Sequence, residues 1–260
     1  QKIADNFTSQ EFAKFTFPRI VKEDWPNLYK IKYAMADLLY FQERWDKCGP
    51  AFDAVVAENP TGPDAAEAAF ASVLCYQKMY DQIYKGDADR KGKGLGPKGG
   101  SADKDKDKSE WEKLKPKDFT DTQKGMVTAF NRYVCYVKPP KGDAKAYDNY
   151  VDVKFARART YFESQHWEEA ALAFRDIAIN HADHESAVFA AQLYLESVNV
   201  LGAKADPPRP SCFDAMGSDV PLFIESFCSG KKAEDNAEQC ETLNRIQCDI
   251  QRLKAQMQFR

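Results

Sequence analysis

The 260-residue chain lacks any apolar run near the ~20 residues that a membrane-crossing helix needs. It also lacks a charge imbalance: 37 Lys and Arg stand against 40 Asp and Glu, a formal charge of −3. No whole-chain electrostatic case therefore exists for nucleic acid or an acidic membrane surface. Catalytic signatures are missing too. There is no Gly-x-Ser-x-Gly. The stretch GKGLGPKGGS misses the phosphate-loop spacing, because Pro97 holds the glycine position before Lys98. No cysteine pair is spaced Cys-x-x-Cys, which argues against zinc knuckles and thioredoxin-like redox chemistry. Only three histidines occur, His166, His181 and His184. His184-Glu185 opens like a metalloprotease helix, but Val188 replaces the second histidine. His181, Asp183 and His184 have metal-ligand chemistry. They also fall at a helix boundary, where polar side chains serve exposed backbone groups, and that reading is preferred. The expectation is no catalytic residue, no cofactor and no metal. The chain opens at Gln1 without Met or a basic-then-apolar leader, as a mature or trimmed fragment would. Asn6-Phe7-Thr8 is a glycosylation sequon, meaningful only in a eukaryotic secreted protein.

Cysteine, by contrast, is plentiful: 48, 75, 135, 212, 228, 240 and 248. Four of the seven lie in the tail beside Pro- and Gly-containing turns. That clustering favours disulfides, hence an oxidising compartment and an exported location. Cys240 and Cys248 are eight residues apart, about 80° around a helix. They are expected to bridge to Cys212 and Cys228, in either order. Cys75 and Cys135, in the similar settings LCY and VCY, are expected to pair. Cys48 is the expected free thiol.

Helical periodicity fills most of the chain. Phe7, Phe12, Phe15 and Ile20 share a face before Pro18 interrupts. Leu28, Ile31, Met35, Leu38 and Leu39 form a second stripe, WDKCGPAFDAVVAE a further helix, and AAEAAFASVLCYQKMYDQIY another, with Asp64 as its cap. Residues 85–118 change character: 11 Lys and Arg, 8 Asp and Glu, and almost nothing apolar. Such a segment reads as a flexible insertion. Helical pattern resumes with Met126, Phe130, Tyr133 and Val137 on one face. Three further helices follow before Gly202, the expected terminator. The tail holds a short helix, DVPLFIESFC, and a last one in which Leu243, Ile246, Ile250, Leu253 and Met257 form a narrow seam. Such a seam suits a neighbouring helix, in this chain or in a second copy that self-associates through the C-terminal helix. No period-2 strand or Asn-Gly hairpin stands out. The expected organisation is 1–84 helical, 85–118 insertion, 119–204 helical and 205–260 a Cys-rich cap.

One helical phrase occurs twice. Residues 32–60 align with 154–182, 122 residues on, with six of 29 positions identical: Lys32/Lys154, Ala34/Ala156, Ala36/Ala158, Trp45/Trp167, Ala51/Ala173 and Phe52/Phe174. Ala36 and Ala158 let a second helix approach closely. Trp45 and Trp167 open that helix, and Phe52 and Phe174 follow two turns later on its face. Each segment thus reads as a helix, a tight turn and an antiparallel helix, needing neighbours to cover its apolar face.

These residues resemble the tetratricopeptide repeat (TPR), a helix-turn-helix of about 34 residues. The first segment supplies Ala36, Leu39, Cys48, Phe52 and Pro60, and the second Ala158, Tyr161, Ala170, Phe174 and Ala182. Both depart at the opening aromatic, where Lys32 and Lys154 stand; Arg157 replaces an apolar residue, and Ala182 the proline. The whole is similar to degenerate TPR proteins of the bacterial cell envelope. An irregular helical bundle is the competing architecture. The resemblance implies an all-α fold, a TPR-like solenoid of antiparallel hairpins, and a periplasmic or cell-envelope location; the clustered tail cysteines add a disulfide-stabilised C-terminal cap. It implies a non-enzymatic scaffold for protein–protein interaction, with a protein or peptide partner in a groove lined by first helices. Lys32, Arg157 and Arg159 are then candidate partner contacts. The alternatives are an architectural or self-associating segment of a larger envelope protein, and a metal-dependent enzyme.

Overall fold

A computed structural model describes residue 11, residues 28–83 and residues 109–258, with side chains up to residue 252 and not at 83. The described residues are helical and contain no strand. The amphipathic pattern of Phe7 to Ile20, the insertion residues 85–108, and the side chains of Leu253 and Met257 fall outside them. The chain divides into two compact units: residues 1–93 with 119–138, and residues 94–118 with 139–260. Spatial grouping therefore differs from chain order. The end of the insertion belongs to the second unit, and the helix after it returns to the first.

The first unit contains α1 (Leu28–Phe41), α2 (Trp45–Glu58), α3 (Ala65–Ile83) and α5 (Asp121–Tyr136). Its core holds Leu28, Ala36 and Leu39, then Phe52 and Val55, then Val73, then Met126, Phe130 and Tyr133. The predicted stripes are met in part: Ile31 and Met35 are partly buried, Leu38 is exposed, and Val137 lies just past the end of α5. Thr120 and Gln123 start α5 with a reciprocal capping box, which satisfies two otherwise orphaned N–H groups. Tyr76 explains two glycines inside helices. A Cβ at Gly49 would lie 2.9 Å from its ring, and one at Gly125 2.5 Å. Each helical glycine costs about 1 kcal/mol against alanine, and this close approach is what it permits.

The second unit contains α4 (Glu110–Leu114), α6 (Ala144–Glu163), α7 (Trp167–Asn180), α8 (Ala187–Asn199), α9 (Ser211–Phe227), α10 (Lys232–Asp235) and α11 (Ala237–Gln258). A π-helical turn, Val200–Lys204, extends α8. Gly202 sits inside it and does not end a helix; a Cβ there would meet the Phe213 ring at 3.1 Å. Phe162, Trp167, Phe174, Ile177, Leu195, Phe223 and Leu243 belong to one core.

The two hairpins share their backbone detail. α2 and α7 are each 14 residues long, and both start and end 122 residues apart. At the turn, Arg44 N–H donates to Leu39 C=O and His166 N–H to Tyr161 C=O, both at 2.9 Å. Glu43 and Gln165 occupy the same step with positive φ, 55° and 63°. At the far end, Gly62 N–H to Asn59 C=O (3.0 Å) matches His184 N–H to His181 C=O (2.9 Å). The next helices, α3 and α8, begin in the same register, at Ala65 and Ala187. Ala36, Cys48, Phe52, Ala158, Trp167, Ala170 and Phe174 are all buried, with Leu39 at the edge of burial and Trp45 and Tyr161 partly covered.

The disulfides are Cys48–Cys75 and Cys228–Cys240, with Cα atoms 5.9 and 5.6 Å apart. Cys135, Cys212 and Cys248 are free thiols. Cys75 therefore pairs with Cys48 and not with Cys135, and Cys48 is not free. Helical geometry explains it. The buried face of α5 is Met126, Ala129, Phe130 and Tyr133. Cys135 stands two residues past Tyr133, about 200° around, and is exposed. In the tail, the predicted second bridge is missing because α9 is longer than expected. It holds Cys212 and Cys228 at opposite ends, 16 residues or ~24 Å apart, while Cys240 and Cys248 are ~12 Å apart on α11. Only one bridge fits. Cys212 lies instead under the π turn, where burial raises its thiol pKa.

Candidate functional site

Polar networks cross the hairpins at the positions where the sequence departs from an apolar pattern. Lys32 on α1 pairs with Glu58 on α2 at 2.8 Å, and Lys154 on α6 pairs with Asp176 on α7 at 2.6 Å. These two equivalent lysines thus tie each first helix to its second. Lys32 and Arg159, the latter paired with Glu163 at 2.9 Å, already have partners within the chain. Arg157 is partly buried. None of the three candidate contacts is an open cationic side chain.

Around Lys154, only 8% exposed, the network is dense. Its ammonium donates to Asp176 Oδ2 and also approaches His181 Nε2 at 2.9 Å, and it lies over the Tyr150 ring. An ammonium has no acceptor, so Nε2 must accept and the neutral ring carries its proton on Nδ1. That proton points to the Tyr147 hydroxyl oxygen, 2.9 Å away. Burial lowers the His181 pKa, and the neighbouring Lys154 charge lowers it further. Burial alone would raise Asp176, but hydrogen bonds from Lys154 and Asn180 outweigh it and hold the carboxyl below its usual range.

A second pair of networks links α2 to α5 and α7 to α9 with opposite polarity. In the first unit Asp53 on α2 accepts from Ser72 (2.7 Å), Tyr76 (3.1 Å) and Arg132. In the second, Arg175 occupies the position equivalent to Asp53. It donates two bonds to Asp219, at 2.7 and 2.9 Å, and Tyr194 donates a third at 2.6 Å. Burial pushes Asp219 up, yet these bonds win and its pKa falls below the ordinary value. Ser72 and Tyr194 are themselves equivalent positions. Sequence reasoning missed both networks, since their members lie 79 and 44 residues apart.

Residues 109–118, expected to be flexible insertion, form a strap over the turn of the second hairpin. Ser109 and Glu112 make a capping box that starts α4. Trp111 and Leu114 pack on the core of the unit. The turn side chains then bind the strap backbone: Gln165 Nε2 to Lys113 C=O at 2.9 Å, Trp167 Nε1 to Leu114 C=O at 2.7 Å, and His166 Nε2 to Lys117 C=O at 2.9 Å. Lys117 N–H returns a bond to Ser164 C=O at 2.9 Å. Three apolar or capping signals, Ser109, Trp111 and Leu114, were the trace of this in a charged sequence.

Beside the strap opens a pocket of about 300 Å³, lined by Trp111, Pro116, His166, Glu169, Pro207 and Arg209 among others. Arg209 is ion-paired with Glu168, and His166 points its Nε2–H at a backbone carbonyl. The lining offers apolar walls and rim charges, not a nucleophile with an adjacent base.

The residues considered for metal binding turn to separate partners. His181 joins the Lys154 network, His184 Nδ1 bonds Ser186 at 2.8 Å, and Asp183 pairs with Lys232 at 3.1 Å. Among the described residues no group of three His, Cys, Asp or Glu is placed to hold a metal ion, and no helix is long and apolar enough to cross a membrane. In the tail seam Leu243 is fully buried and Ile250 6% exposed, and Ile246 packs partly buried against the same core. No protein-family model matches the chain, and no curated protein matches it at a significant level.

Proposed function

We propose that the chain is a non-enzymatic scaffold of the tetratricopeptide-repeat kind, a solenoid of antiparallel hairpins that docks another protein in the cell envelope or periplasm. The observation that carries this reading is the return of the same hairpin, turn hydrogen bonds and left-handed residue included, after 122 residues. Stacked hairpins that cannot cover their own faces build extended binding surfaces. Two disulfides support an oxidising compartment. The bonds from Gln165 and Trp167 to the free carbonyls at the C-terminal end of α4, and between the turn and Lys117 beyond it, support recognition of peptide segments by hairpin turns. The architectural reading keeps less support, because Leu243 and Ile250 of the C-terminal seam pack within the chain. Cross-linking in the native host, followed by capture from the envelope fraction, tests the proposal. One or a few envelope proteins cross-linked at defined positions support it. Capture of nothing, or of the same proteins from the cytosolic fraction, counts against it. Thiol counting on the native protein should find three free thiols of seven.

A further inference from the structure

Two helices in this chain have similar places to go. In the first unit α5 packs on α3, and in the second α9 packs on α8, each after an antiparallel hairpin of the same build. Chain order favours the wrong place for α5. Its Arg132 lies 43 residues before Arg175 on α7, but 79 residues after Asp53 on α2, with the insertion between. Closing the longer loop costs more entropy, and contacts near in sequence form sooner. Neither disulfide ties α5 to its unit, since one joins α2 to α3 and the other α9 to α11. The choice therefore falls to side chains.

Charge separates the two places. Arg175 stands where Asp53 stands in the first hairpin. An α5 docked on the second hairpin would set Arg132 against Arg175, and an α9 docked on the first would set Asp219 against Asp53. Arg132 and Asp53 keep only 22% and 18% of their side chains in solvent, and Asp219 4%, so water screens such like-charge pairs weakly. Shape repeats the rule. Gly125 on α5 and Gly49 on α2 leave room for the Tyr76 ring. The positions equivalent to Tyr76 and Gly49 are Val198 and Ala171, both buried. Valine is smaller than the ring, so α5 on α8 would leave a void beside Gly125. We propose that the reversed polarity of the two ion pairs is a device of assembly. It steers α5 past the hairpin nearest in sequence and onto the first one, and it keeps α9 off α2.

Refolding from urea with the disulfides intact tests this on four full-length chains. They are the unaltered chain, Asp53→Arg/Arg132→Asp, Arg175→Asp/Asp219→Arg, and the chain with all four substitutions. Every one keeps a complementary pair in each unit, and only the two double variants give both units the same polarity. Native monomer is scored by size exclusion and by its NMR fingerprint. Its yield should fall about threefold or more in each double variant and recover in the quadruple variant to near the unaltered value. Local misfit of the exchanged side chains has the opposite consequence, because the quadruple variant carries both defects and would refold worst. A quadruple yield no higher than that of the better double variant therefore overturns the proposal, and equal yields from all four chains do so as well.

Discussion

Asp219 is 3% exposed yet held as a carboxylate by three donors, while its partner Arg175 keeps half its side chain in solvent. The two ends of this pair should respond unequally to mutation. Arg175→Ala leaves a buried charge with Tyr194 as its remaining donor, and should cost about 2–3 kcal/mol. Asp219→Asn leaves a guanidinium that water can reach, and should cost about half as much. Urea titration of both variants decides it; equal costs would mean that the pair acts by packing alone. His181 gives a pH test with a defined sign. Its folded pKa is lowered, so the unfolded chain binds the proton more tightly. Its contribution to stability is complete above about pH 6.5 and is lost as pH falls through the lowered folded value. Proton NMR should find His181 titrating below 6.5, and Lys154→Met should move it upward. None of this was legible in the sequence. Asp53 and Arg132, or Arg175 and Asp219, have nothing in common until helices bring them together, and Lys32 reads as an outward cation and Lys154 as a departure from the repeat pattern.

At the scale of elements, the helices were legible because their apolar residues recur at three and four steps, and Ala36, Trp45 and Phe52 announce a hairpin with a twin. The turn residues were not, because Glu43 and Gln165 adopt positive φ without the glycine that normally signals it. The strap was hidden for a different reason. Its sequence is charged enough to look unfolded, and its order comes from carbonyl groups, which every residue has. Those carbonyls meet the side chains of Gln165, Trp167 and His166. Trp111→Ala/Leu114→Ala should therefore detach residues 109–118 without unfolding α6 and α7. The expected result is new proteolytic cleavage within the strap, together with faster oxidation of Trp167. Helical circular dichroism should stay close to that of the unaltered chain, because α4 contributes only five residues. A strap that stays protected would show that the four backbone bonds, rather than Trp111 and Leu114, hold it.

For the whole molecule, the grouping of elements into two units assigns one disulfide to each. Cys48–Cys75 joins α2 to α3 in the first, and Cys228–Cys240 joins α9 to α11 in the second. The second unit also shows what the first would be without its bridge. The positions equivalent to Cys48 and Cys75 are Ala170 and Ser197, both fully buried, with Ser197 Oγ bonded back to Leu193 C=O at 2.7 Å. Alanine and serine therefore fit this helix interface without strain, and Cys48→Ala/Cys75→Ser should fold. What it loses is the restriction of the unfolded chain. For a loop of 27 residues that restriction is worth about 3–4 kcal/mol. The loss should also be local. Hydrogen exchange is governed by the smallest unit that opens cooperatively, so amides of α1, α2, α3 and α5 should exchange faster by roughly two to three powers of ten. Amides of α6 to α9 and α11 should keep their rates. Faster exchange throughout the chain would mean that the two units open as one, and unchanged exchange in the first unit would mean that the bridge adds nothing to its stability.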